Sequence, residues 1–167
     1  MVKDKIEEKV TKTRSDLAKA KNNKKEYIVA VGRRREAVAR VRLYPDLKED
    51  LLWGETPVKK GEIFVNKKPI EQYFSLPSEQ VVYKEPLRVT NTLNKYIMTI
   101  VVNGGGRSGQ LGAVIHGISR VLIKIDSEKF RPILKKKGFL TRDSRTRERR
   151  KVGTGGKARS EKQSPKR

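Results

Sequence analysis

The chain has 167 residues and a net charge of +22, with 41 Lys+Arg against 19 Asp+Glu, a length that fits one ordinary domain plus appendages. The absence of cysteine and the presence of one histidine, His116, exclude disulfides, thiolate metal centres and histidine-rich metal sites. No apolar run is long enough for a transmembrane helix.

The charge is unevenly placed. Residues 1–26 hold 9 basic and 5 acidic side chains, residues 27–130 hold 17 and 11, and residues 131–167 hold 15 and 3. This predicts a basic N-terminal extension over 1–26, an α+β body over 27–137 and an extended basic tail over 138–167. In the extension, Ile6, Val10 and Leu17 give only a faint helical spacing, so a flexible or loosely helical segment is expected. Asp4, Glu7 and Glu8 argue against a transit peptide, and the expected compartment is the cytoplasm.

The body opens with a β-rich run over Tyr27–Val31 and a basic turn, Gly32-Arg33-Arg34-Arg35. Glu36–Tyr44 then alternates, with Ala37, Ala39, Val41 and Leu43 on one face and Val38, Arg40, Arg42 and Tyr44 on the other. A half-buried strand pair with a charged tip follows. Pro45–Gly61 reads as a loop anchored by Trp53, and Glu62–Val65 as a short strand ending in the turn Asn66-Lys67-Lys68-Pro69. Ile70–Phe74 and Ser78–Tyr83 read as short helices, the second stopped before Pro86, with a short strand at Leu87–Val89. Tyr96–Val102 is an unbroken apolar central strand.

After Asn103 comes Gly104-Gly105-Gly106-Arg107-Ser108-Gly109 and then a helix. Its buried stripe is Leu111, Val114, Ile115, Ile118, Val121, Leu122 and Ile125, with His116, Arg120 and Lys124 expected on the opposite side. A further helix is predicted near Glu128–Lys136. The glycine run matches the dinucleotide fingerprint, with Asp126 about twenty residues on. The fingerprint needs a second strand after the helix and further βα units, whereas the helical spacing here persists to Ile125. A nucleotide-dependent enzyme is thus the weaker reading, and a nicotinamide-type response would be its test. A turn that lets the chain enter a tightly packed helix, or an anion site at the helix N-terminus beside Arg107, fits better. His116 has no partnered nucleophile and reads as a surface or interface residue. No catalytic residue, metal or cofactor is expected.

After Leu140 the tail has Val152 as its one branched aliphatic and no aromatic. Such a segment cannot offset its own ordering entropy, so it needs a polyanionic partner. A membrane surface is disfavoured because the tail lacks the bulky apolar residues of an interfacial helix. Nucleic acid remains, either structured RNA or, in a DNA-compacting protein, duplex DNA. Arginine forks suit phosphate, and neutralising phosphates makes binding salt-dependent.

From Tyr27 onward the chain resembles the bacterial-type small-subunit ribosomal protein nine family. Three blocks carry the likeness: Val31–Arg42, Asn103–Gln110 continued by Ala113, Gly117, Ser119 and Arg120, and Gly138–Arg145 continued by Glu148-Arg149-Arg150-Lys151 and the terminal Lys166-Arg167. The family's aromatic near the tip is missing from Gln163-Ser164-Pro165-Lys166-Arg167, and Ser160 and Glu161 also depart from its pattern. The resemblance implies a ribosomal-protein-S-five domain-two-like body, a sheet with helices on one face, set in the head of the small subunit. It also implies a tail threading ribosomal RNA toward peptidyl-site tRNA, with Lys166 and Arg167 at the tRNA. The expected RNA-binding set is Arg33, Arg34, Arg35, Arg40, Arg42, Arg107, Arg142, Arg145, Arg149, Arg150, Lys151 and Arg159. Partners would be small-subunit ribosomal RNA, peptidyl-site tRNA and neighbouring head proteins, with no membrane and no small-molecule substrate.

Overall fold

The computed structural model describes residues 27–45, 51–53 and 56–146. The chain runs β1 (Ile28–Arg34), β2 (Ala37–Tyr44), β3 (Leu51–Trp53), β4 (Thr56–Val58), β5 (Ile63–Val65), β6 (Lys68–Pro69), α1 (Ile70–Tyr73), α2 (Pro77–Val89), β7 (Ile97–Asn103), α3 (Arg107–Ile125) and α4 (Ser127–Lys136). Five strands form one mixed sheet in the order β1-β2-β7-β5-β6, antiparallel except for the β5–β7 pair. The body is α+β, with its helices against the sheet.

The alternation in β2 sets the layers. Ala37, Ala39, Val41 and Leu43 are fully buried, and the register aligns them with Gly32, Ala30 and Ile28 of β1 and with Val102, Ile100 and Met98 of β7. Helix α3 covers this inner face with Val114, Ile118, Val121 and Leu122, each worth about 1.5–3 kcal/mol when buried. The contact is unusually close. A Cβ built on Gly32 would lie 2.0 Å from the Ala113 carbonyl oxygen, and one on Gly117 would lie 2.6 Å from Val41 Cγ2. Only glycine at both positions lets the helix backbone rest on the strand backbone.

Several expected boundaries shift. The turn after β1 is the two-residue Arg35-Glu36, with Arg35 at φ 52°, so Gly32, Arg33 and Arg34 lie within the strand. Pro45–Gly61 is not loop throughout: β3 and β4 pair there. Leu51 and Val58 cover Tyr44, Phe64 and Ile97 on the outer face, with Trp53 packed alongside. Helix α2 does not stop before Pro86, and Leu87–Val89 is helix rather than strand. Tyr83 and Leu87 are both buried at helical spacing, and this burial outweighs the roughly 3 kcal/mol that an interior proline costs. Thr90 then closes the helix, its Oγ1 donating to the Pro86 carbonyl at 2.8 Å.

The glycine run after β7 serves packing. Gly104 and Gly105 hold φ of 74° and 64°, and a Cβ on Gly104 would sit 2.5 Å from the Glu36 carbonyl oxygen. The helix is followed by a second helix, α4, and not by a strand, which removes the dinucleotide fold. Asp126, the residue at the fingerprint's acidic position, caps α4 instead by accepting the Lys129 N–H at 3.1 Å.

Gly32→Ala and Gly117→Ala are each expected to cost about 1–3 kcal/mol by overpacking and to lower Tm by roughly 5–15 °C. Gly109→Ala, whose added Cβ meets nothing closer than 3.6 Å inside α3, should leave Tm unchanged or raise it in the same thermal melts.

Candidate nucleic-acid interface

Arg33, Arg34 and Arg35 are consecutive, yet they lead to three different places. Arg35 occupies the exposed tip of the β1–β2 turn. Strand alternation puts Arg33 on the outer face of the sheet and Arg34 on the inner one.

The outer face beyond the β3–β4 hairpin is open. Its register places Arg40 between Val31 and Val101, and Arg42 between Val29 and Thr99, while Arg33 pairs with Val38. Arg33, Arg40 and Arg42 are exposed, and none has an acidic partner among the described residues. Val29 and Val101 are 38% and 40% exposed between them. Tyr27 extends the surface: the Arg42 guanidinium lies 5.1 Å from its ring centroid, and Tyr44 packs 5.6 Å away. The result is a shallow apolar floor studded with unpaired arginine forks, suited to a phosphate backbone with its sugar and base edges.

The inner-face and helix arginines are committed within the protein. Arg107 grips Glu79 through Nε–Oε1 at 2.9 Å and Nη2–Oε2 at 2.7 Å, and donates to Ser75 Oγ at 3.1 Å. Glu79 is nearly buried, so this pair braces α2 against α3. Arg34 passes through the space left by the missing side chain of Gly112. It donates to Asp143 Oδ2 at 3.1 Å and to the Ser108 carbonyl at 3.2 Å.

Asp143 therefore holds the root of the tail. Helix α4 ends at Gly138, φ 76°, in a Schellman arrangement, with Gly138 N–H on the Lys135 carbonyl and Phe139 N–H on the Leu134 carbonyl. Phe139 and Leu140 then pack on the core. Arg145 folds back on Asp143 at 2.8 Å, and Arg142 is exposed. Hydrogen bonds from Arg145, then from Arg34, hold the Asp143 carboxyl far below the usual carboxylate range. Arg149, Arg150, Lys151, Arg159, Lys166 and Arg167 lie outside the described residues.

The polar side of α3 does not face away from the sheet as its helical angle suggested. Arg120 Nη1 donates to the Val31 carbonyl at 2.6 Å, and Lys124 Nζ donates to the Val29 carbonyl at 2.7 Å. His116 Nδ1 accepts the Arg33 N–H at 3.3 Å. One row of side chains at i, i+4 and i+8 thus satisfies the free edge of β1, which would otherwise invite another strand. The spacing was visible in sequence, but its use depends on the close seating at Gly117.

The family model for "Ribosomal protein S9/S16" matches residues 32–167. The chain belongs to this family. Membership makes it a structural, non-enzymatic protein of the small ribosomal subunit, working in translation. The match spans both the open sheet face and the basic tail of this ribosomal protein. No helix among the described residues is long and apolar enough to cross a membrane.

Two outcomes are expected of the isolated protein. Asp143→Asn and Arg34→Met should each speed amide exchange across Phe139–Arg145, while Arg40→Ala on the opposite face leaves that exchange unchanged. Burial, then the Arg120 charge, lower the His116 pKa from 6.5, against smaller raising contributions from the Arg33 and Leu140 backbones, with the Arg142 charge adding the least. The folded state then binds fewer protons than the unfolded one, so stability is complete above pH 6.5 and declines as pH falls below it. Thermal melts should show Tm falling as pH drops below about 6.5, above the range where Asp126 and Asp143 titrate, and His116→Gln should flatten that decline.

Proposed function

We propose that this protein sits in the head of a bacterial-type small ribosomal subunit and binds small-subunit ribosomal RNA through two devices. The first is the open sheet face of Arg33, Arg40 and Arg42, joined at the turn by Arg35. The second is the tail, beginning at Arg142 and at Arg145, which leaves its Asp143 pairing for phosphate in this reading, and continuing through Arg149, Arg150, Lys151 and Arg159. The unpaired arginines on the open face carry this reading. In a body that closes Arg34 and Arg107 into ion pairs, three neighbouring guanidiniums without acidic partners among the described residues are matched to an external anion. Arg34 and Arg107 contribute indirectly, one by rooting the tail and the other by bracing α3.

The tail's end, Lys166 and Arg167, reaches peptidyl-site tRNA in this reading. Two cations at the tip of a core-less segment add electrostatic support to a phosphate backbone without contributing to the body's stability. The protein does no chemistry. Its contribution is binding energy and the placement of RNA, and the body acts as the fixed point from which the tail extends.

Binding of a head-domain ribosomal RNA fragment, titrated across salt concentrations, tests this. Arg40→Ala and Arg42→Ala should each weaken binding and reduce the slope of log K against log salt by about 1, with Tm unchanged. Arg107→Met should do the reverse, lowering Tm while retaining the slope. Unchanged slopes in both open-face variants would remove the sheet from the interface.

A further inference from the structure

The two-residue turn between β5 and β6 carries a cation where the backbone favours glycine. Asn66 and Lys67 hold φ of 48° and 66°, the left-handed pair that so short a hairpin turn requires. Asparagine enters that region readily, and here it is also bonded in place. Asn66 Oδ1 accepts the Val102 N–H at 2.9 Å, and its Nδ2 donates to the Val102 carbonyl at 3.0 Å. The Asn66 N–H donates to the Ile100 carbonyl at 3.0 Å, so the turn is pinned to the end of β7. Lys67 has no such internal reason to be there. It is exposed and makes no ion pair among the described residues, and glycine would hold the same φ without strain.

The position of the turn gives the lysine a use. Strand register puts Arg33, Val38 and Asn103 in one cross-strand row and Val31, Arg40 and Val101 in the next. The β5–β7 pairing, with Val65 opposite Ile100, brings Asn66 alongside Val101. The Lys67 backbone therefore lies two strand spacings, roughly 10 Å, from that of Arg40. Val101 and Asn103 are exposed between them, whereas the β3–β4 hairpin covers Tyr44, Phe64 and Ile97 towards the other end. The β1–β2 turn reaches the same end of the sheet and holds Arg35 at φ 52°, again in the left-handed region. The turns at this end carry one carboxylate, Glu36.

We propose that Lys67 is a phosphate contact for the RNA bound by the open face, so that the RNA crosses β7 instead of ending at β2. The inference rests on the RNA reading of that face and adds a direction to it: across β1, β2 and β7 to the β5–β6 turn. The three bonds of Asn66 fix the base of the lysine, and its flexible stem carries the charge to the phosphate. Such a contact reads no base edge, so Lys67 contributes affinity and register and not sequence choice.

Binding of the head-domain ribosomal RNA fragment to the full-length protein, titrated across salt and run beside thermal melts, tests this. Lys67→Gly and Lys67→Asn should each weaken binding about 3- to 10-fold and reduce the slope of log K against log salt by about 1. Both should leave Tm unchanged or raise it by up to about 5 °C, since both residues accept positive φ. Lys67→Arg should keep the slope. Lys95→Ala removes an equal charge just before β7, at the covered end of the sheet, and should leave the slope unchanged. A full slope in Lys67→Gly and Lys67→Asn, beside a reduced one in Arg40→Ala, overturns the extension and leaves the open-face reading standing. Equal losses in Lys67→Gly and Lys95→Ala reduce the effect to net charge and overturn it as well. A reduced slope in the Lys67 variants with a full one in Arg40→Ala removes the shared path. A Tm lowered in both Lys67→Gly and Lys67→Asn contradicts a lysine held for RNA at the expense of the fold.

Discussion

The backbone contact of α3 with β1 and β2 at Gly32 and Gly117 is the constraint on which the rest of the structure depends. Because neither residue has a Cβ, the helix axis sits close enough to the sheet for its flank to pass over the edge of β1. Arg120 and Lys124 then reach the Val31 and Val29 carbonyls, and His116 meets the Arg33 N–H. The same seating brings Gly112 beside Arg34, whose side chain runs through the gap to Asp143 at the base of the tail. A helix held one methyl group farther out would lose the edge cover and the tail root together. With the inner face sealed in this way, Arg33, Arg40 and Arg42 remain exposed on the outer face.

Charge is divided as sharply as packing. The arginines at the helix side of the sheet are consumed in holding the fold: Arg107 by Glu79, and Arg34 by Asp143 and Ser108. Those on the outer face have no acidic partner among the described residues. Arg34–Asp143 is a partly exposed pair that contributes little to stability, so its significance is positional, whereas the burial of Glu79 makes Arg107–Glu79 count for stability as well. Arg107–Glu79 sets the angle between α2 and α3, and Arg34–Asp143 sets where a like-charged chain leaves the body. The body is thereby made anisotropic: Arg34 and Arg107 are ion-paired on the helix side of the sheet, and Arg33, Arg40 and Arg42 are, among the described residues, without acidic partners on the outer face.

Much of this was legible in the residues. The alternation of Ala37–Tyr44 gave β2 and placed Arg40 and Arg42 on one face, because a period of two leaves no other arrangement. The stripe from Leu111 to Ile125 gave α3 in the same way. The β3–β4 hairpin was not legible, since two three-residue strands flanked by Pro45 and Gly61 carry too little pattern to outweigh their loop composition. Pro86 misled by its local preference, which the burial of Tyr83 and Leu87 overrides. The partners of Arg34 and Arg107 lie 109 and 28 residues away in sequence, so no local signal distinguished these two arginines from the free ones. The glycine triplet looked like a phosphate loop because close backbone approach needs the same residue type whether the neighbour is a nucleotide or, as here, the β1–β2 turn.

In the proposed reading, electrostatic contacts spread over the open face and the tail hold this family member in the small subunit. Sedimentation of the tagged full-length protein from native lysate across a salt series tests it most directly, run beside a chain ending at Thr146 that keeps the Asp143 root. The full-length protein should co-migrate with small subunits and be released only at high salt. The shortened chain should co-migrate but be released at distinctly lower salt. Full-length protein left in the light fractions at low salt, or identical release of both chains, would contradict the account.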